Sequence, residues 1–521
     1  MSEPKIIFFN ANIITLDHRQ PRAEAVAIQD GKIAAIGSNK EILKLKSAST
    51  KVVDCKNKTV VPGLVDCHVH MLEFGLFLQE LDLRDTRSIE EMQTKLREHV
   101  GKHPELNWIL GGRWDQEKFQ EKRYPTRWDL DTAVANKPMF LNRVCGHLSV
   151  ANSKALQLAG ITKNTKVKGG TVDLDTATGE PNGILRDNAR DLVWKVVPKP
   201  SKETLEKACL SACKKAVEFG LTGVHWLAGS SEDVQILQEL HFRRELPLRV
   251  YLGIPVEQLD HIFSSESPSE FGNNMLREGF IKILADGSLG AHTAALKKPY
   301  ADNPKTRGLM LYTQKKLSQL IMKAHSRGLQ LGVHAIGDRA VENVLEAFEK
   351  ALKKDPRQNH RHRIEHCSIL NPQLITRMKR LGLIASVQPH FVVSDFWTVD
   401  RVGPERARWA YPFKTLLKKG VVVASGSDCP VELINPLLGI CAAVNRKDKE
   451  EESLTVDEAL ETYTLNAAYA SFDEKKKGTI ETGKYADLTI LSDDITRVPP
   501  DKICDATVEM VIVNGKIVYS R

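Results

Sequence analysis

Alternating apolar and polar positions dominate both ends of the chain. IIFFNANIITL, AVAIQDGKIAAIG with its Asp30-Gly31 turn, and KVVDCKNKTVVPG predict short strands and a hairpin near the amino terminus. ADLTILS and VEMVIVNGKIVYS, folded at Asn514-Gly515, repeat the pattern at the carboxyl terminus. Two strand-rich ends around a mixed middle predict one small β-sandwich built from residues 1–59 and 472–521.

In the middle the pattern changes to short β-branched runs separated by longer helix-like stretches, as expected of βαβ units around a parallel sheet. The runs are LVDCH after Pro62-Gly63, LTGVHW (221–226), LRVYLGI (248–254), FIKILADG (280–287), LQLGVHAIG (329–337), HRIEHCSI (362–369), LIASVQP (383–389) and VVVASGS (421–427). Eight strands separated by helices predict an α/β fold, a (β/α)8 barrel over residues 60–78 and 200–471, in preference to a doubly wound sheet. About 150 residues separate the first two runs, far more than a βα loop needs, so an inserted lobe is expected over 79–199. Within it, SIEEMQTKLREHV and NSKALQLAG have helical period, and the Gly-rich KGGTVDLDTATGEPNG reads as a hairpin or flap. Following the first strand, the lobe is expected above the carboxyl end of the barrel.

Composition narrows the class without naming a chemistry. A hydrophobic share of 42% and a charged share of 27% over 521 residues are those of a globular protein with a sizeable core. The net charge of +8 is spread along the chain with no long single-sign run, so nucleic acid is not indicated. Nine cysteines, dispersed and without a CxxC pair, argue against a disulfide framework or zinc ribbon and favour a reducing compartment. No uncharged apolar run reaches the roughly 18 to 20 residues of a membrane helix, so no membrane is expected and the cytoplasm is the default location.

Chemistry concentrates at the carboxyl ends of the barrel runs. His68 and His70 lie two apart on a strand, so both side chains point to one face and can share a metal. Alone the pair is a weak signal. His334 ends the fifth run, His366 the sixth, and Asp428 follows the eighth in SGSDCPV. Each could be a core or capping residue, but barrel enzymes keep catalytic groups at these strand ends, and imidazoles with a carboxylate suit zinc or a similar divalent ion. Lys282, inside the fourth run, does not fit on these grounds. An ammonium repels a metal, and pairing with Asp286 or reaching to solvent is the simpler reading.

VPGLVDCHVHML, IKILADGSLGAHTAAL, GVHAIGDRAV, RIEHCSI and SGSDCPVELINPLLGI resemble the amidohydrolase superfamily, and more narrowly its family 3 branch. PTRWDLD, GHLSVANSKALQLAGI and GEPNGILRD resemble that branch's lobe motifs, so the likeness runs from about Ala11 to about Val518. The resemblance implies two divalent metal ions, zinc being the usual one, and a carboxylated Lys282 bridging them. His68 and His70 would hold the more buried ion with Asp428, and His334 and His366 the more exposed one. It implies hydrolysis of a C–N bond in a small-molecule amide, N-formyl or N-acyl, by a metal-bridging hydroxide with Asp428 as general base and acid.

Candidate substrate contacts are Arg113, Trp114 and His147 in the lobe, Asp286 after strand four and His390 after strand seven. Lobe packing competes for Arg113 and Trp114, and a helix-capping role competes for Asp286. Trp226, where relatives more often carry an acidic residue, is expected to make one side of the pocket more apolar. Two rival readings are a mononuclear heterocycle deaminase, which needs a glutamate where this chain has Gly337, and a non-catalytic metal-binding regulator on the same fold. A homodimer is expected only by analogy with other barrels.

Overall fold

The structure is a computed structural model that describes residues 4–143, 148–259 and 273–521. It divides into two compact units, one of residues 1–74 with 209–521 and one of residues 75–208.

The larger unit contains an eight-stranded parallel sheet whose strands follow chain order. They are β1 (Leu64–Val69), β2 (Leu221–Leu227), β3 (Arg249–Pro255), β4 (Leu276–Leu284), β5 (Gln330–Ala335), β6 (Arg363–His366), β7 (Ile384–Val387) and β8 (Val422–Ser425). The sheet curls into a nearly closed (β/α)8 barrel. At its seam the Asp428 amide donates to the His68 carbonyl at 2.7 Å, and the His70 amide to the Cys429 carbonyl at 2.8 Å. The strands are buried on both faces because helices cover the outside, which explains why the sequence shows them as continuous apolar runs.

Large side chains fill the barrel interior. Phe280 on β4 lies beneath Lys282, and a Cβ added to Gly332 would come within 2.6 Å of its ring. The glycine therefore makes room for the aromatic layer that supports the site. Tyr251 and His225 pack beside it with ring centroids 5.0 Å apart, and the Arg363 guanidinium sits 4.4 Å from the Phe280 centroid.

Both termini build the sandwich. One sheet orders Lys32–Gly37, Ala25–Gln29, Ile6–Phe9 and Lys51–Asp54; the other interleaves amino-terminal strands with Leu488–Leu491, Val508–Val513 and Lys516–Ser520. Phe8, Ile13, Val26, Val60, Ile490 and Ile512 close between them. Thr59–Pro62 of the second sheet runs directly into β1, so the sandwich anchors the first barrel strand.

The smaller unit has its own six-stranded sheet and its own core around Trp114, Phe119 and Leu130. The Gly-rich segment forms the hairpin Gly170–Leu174 with Pro181–Asp187. Among the described residues, no helix is long and apolar enough to cross a membrane.

Candidate metal centre

Strand alternation carries His68 and His70 to the inner face of β1, and His334 to that of β5. His366 arrives differently. It follows Glu365, which already faces inward, and a φ of 75° at His366 with 52° at Cys367 turns its ring into the same space. Asp428 has a φ of 58°. Non-glycine residues in the left-handed region are costly, and three at one site mark a backbone held there by its surroundings.

The groups converge. One ligand atom from each of His68, His70 and Asp428 lies within 4.8 Å of the others. Asp428 Oδ1 is 3.2 Å from His70 Nε2 and 3.4 Å from His68 Nε2, and Lys282 Nζ is 3.4 Å from His68 Nε2. The His68 and His366 rings are 4.8 Å apart, and His366 and His334 4.4 Å.

Each buried imidazole is held through one nitrogen, which leaves the other for a metal. His68 Nδ1 meets Glu365 Oε2 at 2.7 Å, and His366 Nδ1 meets Gln388 Oε1 at 2.7 Å. His334 Nε2 faces the Gly287 carbonyl at 3.1 Å, leaving Nδ1. Burial, reinforced by neighbouring positive charge, pushes His68 and His366 well below the usual histidine range and His334 down to about 3. Neutral imidazole is the ligating form, so the donor set fits a divalent ion. Burial also lowers Lys282 to about 8.

These residues form the floor of a cavity of about 510 Å³. Its walls include Leu289, Ile336, Phe391, Trp397, Tyr411 and Val431, together with three acidic residues, Glu73, Asp395 and Glu432.

A model of the amidohydrolase family matches residues 51–519. The chain belongs to the amidohydrolase family. The amidohydrolase-family protein YtcJ of Bacillus subtilis (strain 168) is 36% identical over 534 residues, covering 99% of this chain and all of that one. An N-substituted formamide deformylase of Arthrobacter pascens is 28% identical over 544 residues, covering 99% and 98%. The crystal structure of an uncharacterized metal-dependent hydrolase from Pyrococcus furiosus superposes with a TM-score of 0.81 at 32% identity, covering 94% of this chain and 100% of that one.

The other residues singled out in this amidohydrolase have varied placements. Asp286 is buried, and its carboxylate accepts the amides of Ala295, Ile336 and Gly337 at 2.8 to 3.0 Å. It ties the end of β5 to the segment after β4, caps no helix, and does not line the cavity. Trp114 is fully buried in the lobe core and donates Nε1 to the Leu141 carbonyl. Arg113 stacks on Phe77 at 3.8 Å, within the same unit. His390 Nδ1 lies 2.6 Å from Glu432 Oε2, one step behind the cavity wall. His147 falls outside the described residues. Trp226 is fully buried and, by alternation with inward-facing His225, points to the outside of the barrel. The pocket therefore gains no apolar surface from its indole.

Sequence reasoning missed Glu365 and Arg363. Arg363 reaches Glu365, Ser386 and the Cys67 carbonyl, all at 2.7 to 3.0 Å. The available signal was two opposite charges at i and i+2 in a strand otherwise reading as buried.

Proposed function

We propose that this chain hydrolyses the C–N bond of a small-molecule amide at a binuclear centre, with zinc as the expected metal and Lys282, carboxylated, as the bridge. The observation that carries the reading is the convergence of four histidines, Asp428 and Lys282 on one cavity floor, each buried ring tied back by its remote nitrogen. His68 and His70 would hold one ion with Asp428, and His334 and His366 the other. Cations bound there lower the pKa of a water molecule and polarise a carbonyl. Carboxylation of Lys282 takes one proton from the ammonium, forms one N–C bond from the resulting amine to carbon dioxide and releases a second proton, replacing a repelling cation with an anionic oxygen donor. Its position 3.4 Å from His68 Nε2 gives that donor a use.

Asp428 does the proton work. Its carboxylate, nine-tenths buried at the floor, takes a proton from the attacking water and returns it to the departing nitrogen. The water oxygen joins the acyl carbon, the C–N bond breaks, and a carboxylic acid and an amine leave. N-formyl and N-acyl amides are the first substrates to screen, given the similarity to a protein named for deformylating N-substituted formamides.

Gly337 weighs against the deaminase alternative. A Cβ at this position would lie 2.0 Å from the Ala295 carbonyl oxygen, so no proton-shuttling carboxylate fits there. The test is metal analysis with 13C spectroscopy under labelled carbon dioxide. About two metal equivalents with a lysine carbamate signal support the reading. One equivalent without carbamate supports a mononuclear deaminase, and metal-loaded protein that turns over neither amides nor heterocyclic amines supports the regulator. Asp428→Asn is expected to keep the circular-dichroism spectrum and lose turnover by at least about a hundredfold; near wild-type activity would remove Asp428 from its role.

A further inference from the structure

The cavity beyond the metal ligands has a one-sided charge inventory. Glu73, Asp395 and Glu432 line it, whereas Lys282 on the floor is its single lysine and no arginine is present among the described lining residues. Away from the floor, no lysine or arginine among the described lining residues could pair with a substrate carboxylate.

Asp395 and Glu432 line the same cavity, and each is largely buried. The Asp395 carboxylate has the Tyr411 hydroxyl as its donor, and no cation lies within ion-pair distance among the described residues. Glu432 has His390 as its one side-chain partner among the described residues. Two carboxylates in one largely apolar wall are an electrostatic cost that a bound cation relieves. Burial, with the neighbouring Glu432 adding to it, raises the Asp395 carboxyl to about 6.

The rest of the wall suits a bulky apolar group. Phe391, Trp397 and Tyr411 supply aromatic faces, with Leu289, Ile336 and Val431 between them. Ser394 also lines the cavity, and its buried hydroxyl has no hydrogen-bond partner among the described residues. Aromatic faces beside carboxylates favour organic cations through both charge and ring quadrupole.

Resting on the hydrolase reading above, we infer that the substrate is an aromatic or similarly bulky amide carrying a second, protonated amine, which Asp395 and Glu432 receive. N-acyl amino acids and other anionic amides are disfavoured.

The test has a binding arm and a turnover arm. Calorimetry on the metal-loaded protein compares phenethylamine, 2-phenylethanol and 3-phenylpropionate, which share an aromatic ring and differ in charge. The cation is expected to bind about tenfold tighter than the alcohol, and the anion weakest. Glu432→Gln, which leaves the Tyr411 contact intact, and Asp395→Asn should each shrink the cation-to-alcohol ratio by roughly threefold or more. In the turnover arm, N-acyl benzylamines with para-aminomethyl, para-methyl or para-carboxylate groups should fall in that order of kcat/KM.

A ratio unchanged in both variants, or an anion preference, overturns the inference while any amide turnover leaves the hydrolase reading standing. A cation preference lost in the variants, but without turnover of any amide, supports the recognition pocket and removes the reaction.

Discussion

At the scale of single residues, Glu365 decides how well the first histidine is held. It is fully buried, its Oε2 fixes His68 Nδ1, and Arg363 neutralises it. Substitution by glutamine keeps the shape and removes the charge, which frees the His68 ring to change tautomer and leaves the Arg363 cation uncompensated. Glu365→Gln is expected to weaken metal binding by about 10- to 100-fold, as for other partners of ligating histidines, read by chelator competition on folded protein. Unchanged affinity would show that Glu365 only fills space. The proposed histidine and aspartate ligands were legible in the sequence because these residue types are conspicuous at the ends of apolar runs. Lys282 was not, since its charge argues against ligation until a carbamate is invoked. Asp395 and Tyr411 meet across 16 positions of chain with no spacing rule to connect them.

At the scale of elements, the site depends on how strands end. β5 ends at Ala335 and the helix Asp338–Lys354 starts three residues later, with Gly337 as its N-cap. The turn presses on the Ala295 backbone, and the Asp286 carboxylate holds the Ile336 and Gly337 amides above His334. Adding a methyl group there must move one backbone against the other. Gly337→Ala is therefore expected to destabilise by about 1 to 3 kcal/mol, the range for overpacking. It should also lower metal occupancy at the His334 and His366 position more than at His68 and His70, which anomalous diffraction at the metal edge would resolve. Equal occupancy would separate the turn from the site. The strands were readable because burial on both faces writes each as a continuous apolar run. The turns between them were not, because clearances such as that at Gly337 are set by residues about 40 positions away.

At the scale of the whole larger unit, the barrel and the sandwich are joined by a buried ion pair. Arg249 at the start of β3 makes two contacts of 2.6 and 2.9 Å with Asp487, which directly precedes the sandwich strand Leu488–Leu491. Asp487 also accepts the Asn514 amide at 2.8 Å, and its own carbonyl receives the Gly63 amide just before β1. Both side chains are about 95% buried, so neither charge has water to fall back on. Removing one partner leaves the other as an unpaired buried charge, whereas replacing both with apolar groups removes the desolvation cost as well. Asp487→Ala is therefore expected to cost about 3 to 5 kcal/mol, and the double variant Arg249→Met with Asp487→Leu to recover most of that loss. Urea unfolding followed by circular dichroism measures both. Because the pair ties the termini to the barrel, the single variant should also release the sandwich at a lower denaturant concentration than the barrel, turning one transition into two. If the double variant is as unstable as the single one, the pair contributes through its geometry and not through its charge balance. The barrel's first strand would then owe its placement to the bond from the Gly63 amide to the backbone carbonyl at position 487, which the substitutions leave in place.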